Sequence, residues 1–138
     1  MWTRQATTQD LTFCLSADAA AGIAFDRTRH FETAIAEGGC LIAGRWQNAE
    51  GVLVSSRSFF SRPFISLLYV VGSARRSGVA FALLEAVEAK HAPDDVFTST
   101  NQSNEPMQKL LQKRGYLAAG VVLHLDPGDP ELIFVKKR

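Results

Sequence analysis

Six consecutive residues, Arg75-Arg76-Ser77-Gly78-Val79-Ala80, stand between an apolar run and an amphipathic segment, and their types suit the capture of a polyphosphate. A helix opening near Gly78 leaves its first amide N–H groups without partners and carries the positive end of its dipole there. A pyrophosphate docked at that point meets donors already aimed at it. Gly78 and Ala80 keep the backbone approachable, because a larger side chain at either position holds phosphates away. Arg75 and Arg76 add permanent positive charge that can grip phosphate oxygens. A small-residue turn before a helix also serves ordinary packing against a sheet, so the elements around it decide between the two.

Those elements alternate in the manner of a mixed α/β domain. Residues 2–6 read as a strand, 8–20 as a helix with Leu11, Cys14 and Leu15 at helical spacing, and 26–37 as a second helix stopped by Gly38-Gly39. Residues 40–45 and 51–56 read as a hairpin across the polar turn 47–50. The run Phe64-Ile65-Ser66-Leu67-Leu68-Tyr69-Val70-Val71 is almost continuously apolar, which predicts a central strand buried on both faces. From Gly78 to about His91, Val79, Ala80, Leu83, Leu84 and Val87 trace one helical stripe, with Glu85, Glu88 and Lys90 mainly off it, and Pro93 ends the helix. Residues 96–100 form a short strand. Ser103-Asn104-Glu105-Pro106 then opens a helix that runs to Gly115. Strands 120–125 and 132–136 close the chain around the turn 126–130.

The 138 residues, 46% hydrophobic, suit one compact domain over 1–138, with no repeat, linker or low-complexity stretch. Fifteen basic and fourteen acidic side chains leave a net charge of +1, which argues against a general nucleic-acid or anionic-membrane surface. Cys14 and Cys40 are far apart in sequence, and His30, His91 and His124 are equally scattered, so neither a metal site nor a disulfide framework is expected. No apolar run is long enough for a signal peptide or a membrane span, which makes a cytoplasmic, soluble protein the expectation.

Arg75, Gly78 and Ala80 satisfy the spacing Arg or Gln, two residues, Gly, one residue, then Gly or Ala. Behind it comes Asn104 at a helix opening, followed after one helix by Gly115-Tyr116. In these two ordered motifs the chain resembles the GNAT superfamily of coenzyme A-dependent N-acetyltransferases, most clearly from Phe64 to Tyr116. The resemblance implies a mixed, partly splayed sheet of six to seven strands flanked by helices, with acetyl-CoA entering where the central strand parts from the strand after its helix. It places the pantetheine arm near Val70, the pyrophosphate around the amides of Arg76, Ser77, Gly78, Val79, Ala80 and Phe81, and the Leu68 N–H against the thioester carbonyl. It also implies acetyl transfer to a primary amine of a small molecule or peptide, without a metal, and admits a homodimer.

The chain departs from the family pattern in two places, one on a helix and one on the central strand. Leu111 stands where many members carry a tyrosine that protonates the departing thiolate, and Phe64 and Ser66 stand where strand bases commonly sit. Ser66 can hold a water that carries the proton. Alternation sends Tyr69 to the face opposite Ser66 and Leu68 unless a bulge intervenes, and Tyr116 reads as a packing residue. Asp26, His30 and Glu32 form a solvated helix face unless an amine-binding wall recruits them. His124, between Leu123 and Leu125 on a predicted strand, is exposed or at the cleft. Asn104 can cap its helix and still offer backbone to a cofactor. Arg57, Arg62 and Phe59-Phe60 either shape an acceptor site or belong to a loop docked on the core.

The absent tyrosine and strand carboxylate keep a second reading open, a non-catalytic acyl-CoA sensor or interaction domain. A nucleotide hydrolase is disfavoured because no Gly-Lys-Ser/Thr follows the glycine turn. RNA binding lacks both the charge and an aromatic platform motif.

Overall fold

The computed structural model describes residues 1–20 and 26–138. Seven strands form one sheet in the order β1-β2-β3-β4-β5-β7-β6. They are β1 (Trp2–Gln5), β2 (Cys40–Arg45), β3 (Asn48–Phe59), β4 (Arg62–Val70), β5 (Val96–Asn101), β6 (Leu117–Val122) and β7 (Glu131–Lys136). Every pairing is antiparallel except β4 with β5, which run parallel. The helices are α1 (Leu11–Ala20), preceded by one 3-10 turn, α2 (Thr28–Ala36), α3 (Val79–His91) and α4 (Glu105–Lys113). This is the mixed α/β architecture that the alternating pattern implied.

Alternation along β2 and β3 explains why both faces of the sheet are covered. Leu41, Ala43 and Leu53 point into a core shared with Leu83, Leu84 and Val87 of α3 and Leu111 of α4. Ile42, Val52 and Val54 point the other way, onto Cys14 and Ala17 of α1 and Phe31 and Ala34 of α2.

Several boundaries differ from expectation, each for a local reason. β3 starts at Asn48 because residues 48–50 already pair with β2 or lock to it; Glu50 accepts from Arg45 at 2.8 Å. β3 and β4 meet at a two-residue turn, Phe60-Ser61, with φ of 51° and 65°, which matches the twist of the flanking strands. Pro63 therefore lies inside β4, in a stretch of irregular pairing that needs no N–H from it. At the end of α4, Tyr116 N–H donates to Leu111 O and Gly115 N–H to Gln112 O, with Gly115 at φ 90°. That Schellman closure lets β6 begin at once at Leu117, three residues earlier than the predicted strand. His124 consequently lies beyond β6, exposed and at φ 73°, and not on a strand.

Glu88, expected off the apolar stripe, is instead buried. It accepts from Arg114 at 2.8 Å and from the Tyr116 hydroxyl at 2.9 Å, which supplies the partners a buried carboxylate requires. The two thiols, distant in sequence, also meet: Cys14 Sγ lies 4.0 Å from Cys40 Sγ in the core, with both cysteines free.

Candidate functional site

The sheet divides along β4. Its pairing with β5 is confined to Phe64 opposite Phe97 and Ile65 opposite Thr98, where the Thr98 hydroxyl donates to the Ile65 carbonyl at 3.0 Å. The next residue, Ser66, is a bulge: Ile65 is opposite Ser55 and Leu67 opposite Val54, so Ser66 is extra on β4. The bulge bends the strand, and beyond it, among the described residues, β4 has no partner on the β5 side. Ser66 is exposed there and donates weakly to Val54 O at 3.4 Å.

Hydrogen-bond parity then fixes which backbone groups face the opening. Val71 N–H donates to Glu50 O at 2.9 Å, so in the antiparallel register Tyr69 opposite Val52 and Leu67 opposite Val54 also turn their amides toward β3. Leu68 and Val70, the alternate residues, turn their N–H and C=O groups away from β3 and into the gap left by β5. The Val70 carbonyl accepts a side-chain bond from Arg75 Nε at 3.3 Å, and the Arg75 guanidinium lies 5.9 Å from the centroid of the Tyr69 ring.

The bulge also resets side-chain direction. Ile65 and Leu68 both pack on the α3 face, whereas Leu67 and Tyr69 pack on the α1 and α2 face. Tyr69 is opposite Leu68, as alternation from Leu68 requires, but simple alternation no longer relates it to Ser66.

At the end of the opening the chain turns through Gly72–Ala74, and Arg76 and Gly78 adopt φ of 64° and 93°. Gly78 is the N-cap of α3, and the first helical bond runs from Ala82 N–H to Gly78 O. The amides of Val79, Ala80 and Phe81 are thus the open donors of the first turn. No acidic residue lies in that turn to compete for an anion. The side chain of Val79 is buried in the core and its amide is open, whereas Ser77 donates both its hydroxyl and its N–H, the latter at 3.3 Å, to the Ala74 carbonyl. Arg76 is exposed beside them. Gly51 of β3 fixes how close the turn sits to the sheet: a Cβ there would lie 2.7 Å from Val79 Cγ1 and 3.0 Å from Leu83 Cδ1.

The β5 side of the opening continues into Asn104, whose side chain accepts from Met107 N–H at 3.2 Å as the cap of α4. Leu111 is buried in the core from this helix. Tyr116 is buried against Glu88, and burial together with that carboxylate pushes its phenol well above the ordinary range. It is a packing residue, as the sequence suggested.

Asp26 accepts from Thr28 N–H at 2.9 Å at the start of α2. His30 and Glu32 are exposed on that helix, with the His30 pKa lowered by partial burial and by Arg27. Arg57 pairs with Asp94, Arg62 donates to Phe60 O, and Phe59 stacks on Phe64 with ring centroids 5.2 Å apart. The 57–62 segment is therefore hairpin, not loop. His91 lies at the other end of α3 from Gly78, with Nε2 3.3 Å from Ser55 Oγ. No group of His, Cys, Asp and Glu suited to a metal ion occurs among the described residues.

The Acetyltransferase (GNAT) family is matched over residues 9–116. Among solved structures, the chain is similar to an acetyltransferase of the GNAT family from Bacillus cereus, 33% identical, with 99% of this chain and 96% of that one covered at a TM-score of 0.89. It shares its fold with the ribosomal-protein-S18-alanine N-acetyltransferase of Escherichia coli, 15% identical, with coverage of 97% and 91% and a TM-score of 0.81. It also shares its fold with an Arabidopsis thaliana protein in complex with the bisubstrate analogue CoA-Ac-MVNAL, 17% identical, with coverage of 99% and 98% and a TM-score of 0.80. No curated protein matches the sequence.

Proposed function

The chain belongs to the acetyltransferase (GNAT) family, and we propose that residues 1–138 act as one domain transferring acetyl from acetyl-CoA to a primary amine of a small molecule or peptide. The observation that carries this reading is the gap beside β4, with the backbone of Leu68 and Val70 turned into it and the open amides of α3 at its end. The pantetheine arm takes the place of the missing strand and bonds to Val70, which requires Arg75 to release the Val70 carbonyl. The pyrophosphate sits on the amides of Arg76 to Phe81, that of Ser77 on leaving the Ala74 carbonyl, with Arg75 and Arg76 adding charge. Asn104 contributes through the backbone beside its cap.

The amine nitrogen attacks the thioester carbon, and the carbonyl π electrons move onto the oxygen, which accepts from the Leu68 N–H. One such preorganised donor is worth roughly 2.7–4 kcal/mol. Re-forming the carbonyl breaks the carbon–sulfur bond and expels the thiolate, while the amine proton leaves through water held at Ser66. A thiol pKa near 8.5 makes the thiolate a tolerable leaving group without an acid. No step calls for a metal. Peptides stand beside small amines as acceptors because a structural neighbour is a ribosomal-protein-alanine N-acetyltransferase. The two unbonded core thiols suit a reducing, cytoplasmic setting.

A second reading, an acyl-CoA sensor, draws on Leu111, whose buried aliphatic side chain offers no proton to a thiolate. Calorimetric titration with acetyl-CoA, followed by free-thiol release with a panel of amines, separates the two. Amine-dependent release is the expected result. Binding without release favours the sensor, and a folded, ligand-free protein that binds no acetyl-CoA refutes both.

A further inference from the structure

Ser66 can hold a water, but neither a water nor a serine hydroxyl is a base near neutral pH, so the amine proton needs a carboxylate or an imidazole on which to end. The amine has one face of the sheet from which to come. Leu68 packs on the α3 side with Leu83 and Leu84, which fills that side of the opening. Across the gap, Val96 of β5 and Phe134 of β7 belong to the same core, whereas Phe97 packs on Phe59 with ring centroids 5.1 Å apart. Alternation therefore puts Ser99 and Asn101 with Phe97, and Glu131 with Ile133, on the face away from α3. Leu67 and Tyr69 of β4 point to that same face.

Three carboxylates gather at this end of the sheet. Asp126 is exposed and accepts from Asn101 Nδ2 at 2.9 Å, an amide that relays no proton. Asp129 accepts from the hydroxyl of Ser103 at 2.6 Å, but Ser103 is exposed and lies beyond the end of β5. Glu131, in contrast, is joined to a hydroxyl within the strand: Ser99 Oγ donates to Glu131 Oε2 at 2.7 Å, and both residues are half-buried. With its hydrogen committed to the carboxylate, Ser99 Oγ has only lone pairs to offer a group approaching from the opening. Its level also fits. Ile65 is opposite Thr98, and with the bulge counted as one extra residue Leu68 falls level with Thr100, between Ser99 and Asn101. Neighbouring strands lie about 4.8 Å apart, so a pantetheine arm in the gap borders β5 directly, and Glu131, one strand further, reaches it through Ser99.

We infer that Ser99 and Glu131 form the proton relay of this chain, an inference that rests on acetyl transfer taking place beside Leu68. As the nitrogen–carbon bond forms, the nitrogen becomes positive. Its proton passes through the water held at Ser66 to Ser99 Oγ, while the Ser99 proton passes to Glu131. The carbon–sulfur bond then breaks, the thiolate leaves with its electron pair and takes a proton from solvent, and Glu131 returns its proton to solvent.

Glu131→Gln tests this, because glutamine keeps an acceptor for the Ser99 hydroxyl and removes only the base. Thiol release from acetyl-CoA is followed with the amine of the panel that the wild type turns over fastest, and with water alone as acceptor. General-base assistance is worth about 10²–10⁴-fold in rate, so turnover at saturating amine should fall at least about 100-fold in Glu131→Gln and in Ser99→Ala, with acetyl-CoA affinity held within about twofold. Ser99→Thr, which keeps the hydroxyl, should restore most of the rate. Retained acetyl-CoA binding by calorimetry also reports that each variant is folded. Undiminished turnover in Glu131→Gln or Ser99→Ala, or a loss matched by an equal loss of acetyl-CoA affinity, overturns the relay and leaves acetyl transfer standing. A wild type that binds acetyl-CoA but releases thiol to neither amines nor water overturns both.

Discussion

Replacing Gly78 tests the phosphate site where its geometry is most constrained. Among the described residues, a Cβ at this position would meet only Met1 Cε at 3.8 Å, so Gly78→Ala introduces no clash there. The difficulty is φ 93°, a left-handed conformation that disfavours an L-residue by about 1–2 kcal/mol. If the turn keeps its shape, the folded protein loses that much stability. If it relaxes to negative φ, the peptide planes on either side rotate and the Gly78 and Val79 amides turn away from the pyrophosphate. Each amide bond to a charged acceptor contributes about 1.5–3 kcal/mol, so losing one weakens binding roughly 10- to 150-fold. Gly78→Glu adds a carboxylate beside the phosphates and should weaken binding further. Calorimetry should compare acetyl-CoA with S-acetylpantetheine, which lacks the diphosphate. The loss should appear with acetyl-CoA and be nearly absent with the fragment. A folded Gly78→Glu protein with unchanged acetyl-CoA affinity, or an equal loss for both ligands, would refute the assignment.

Gly51→Val should push the start of α3 off the sheet through Val79 and Leu83. An overpacking loss of about 1–3 kcal/mol in denaturant titrations should be accompanied by weaker acetyl-CoA binding, and unchanged binding would detach β3 from the placement of the turn. Glu88→Ala leaves the buried Tyr116 hydroxyl without its acceptor and the part-exposed Arg114 without its carboxylate, and should destabilise by about 2–3 kcal/mol, against about 1 kcal/mol for Tyr116→Phe; equal effects would refute the carboxylate as the centre of that network. Arg4 holds the Asp10 carboxyl below its ordinary value of 3.8, helped by the Thr7 amide. The contribution of this pair is therefore complete above pH 3.8 and lost as pH falls through the lowered pKa. The Tm gap between wild type and Arg4→Met should shrink in acid, and a gap constant with pH would refute the linkage.

What was legible in the sequence are the features that particular residue types impose. Gly78 and Ala80 mark a close approach, Asn104 and Pro106 open α4, and the apolar run of β4 needs cover on both faces. The bulge at Ser66 left no such trace, because slipping the register by one requires no special residue, only the pairing with β3. The turning of Leu68 and Val70 into the gap was likewise a property of pairing. Glu88 looked like a surface residue because its partners Arg114 and Tyr116 are 26 and 28 positions away. Residues 117–123 carry no polar side chain, so periodicity could not place the ends of β6. The start was nevertheless readable from Gly115, whose left-handed closure of α4 ends one residue before the strand.

The Ser66 bulge links binding to turnover in a way that side chains alone do not suggest. By bending β4 out of register with β5 it opens the gap, and by adding one residue it places Ile65 and Leu68 on the same face. In the proposed reaction, the groups that hold the cofactor are thus main-chain groups whose direction follows from strand pairing. Leu111 and Ser66, the departures from the family pattern, bear on proton movement and not on those groups. Cofactor affinity and amine-dependent thiol release are therefore separable quantities in this chain. A variant that disturbs the register, such as deletion of Ser66, should lose both together, whereas Ser66→Ala should retain affinity and lower only the rate.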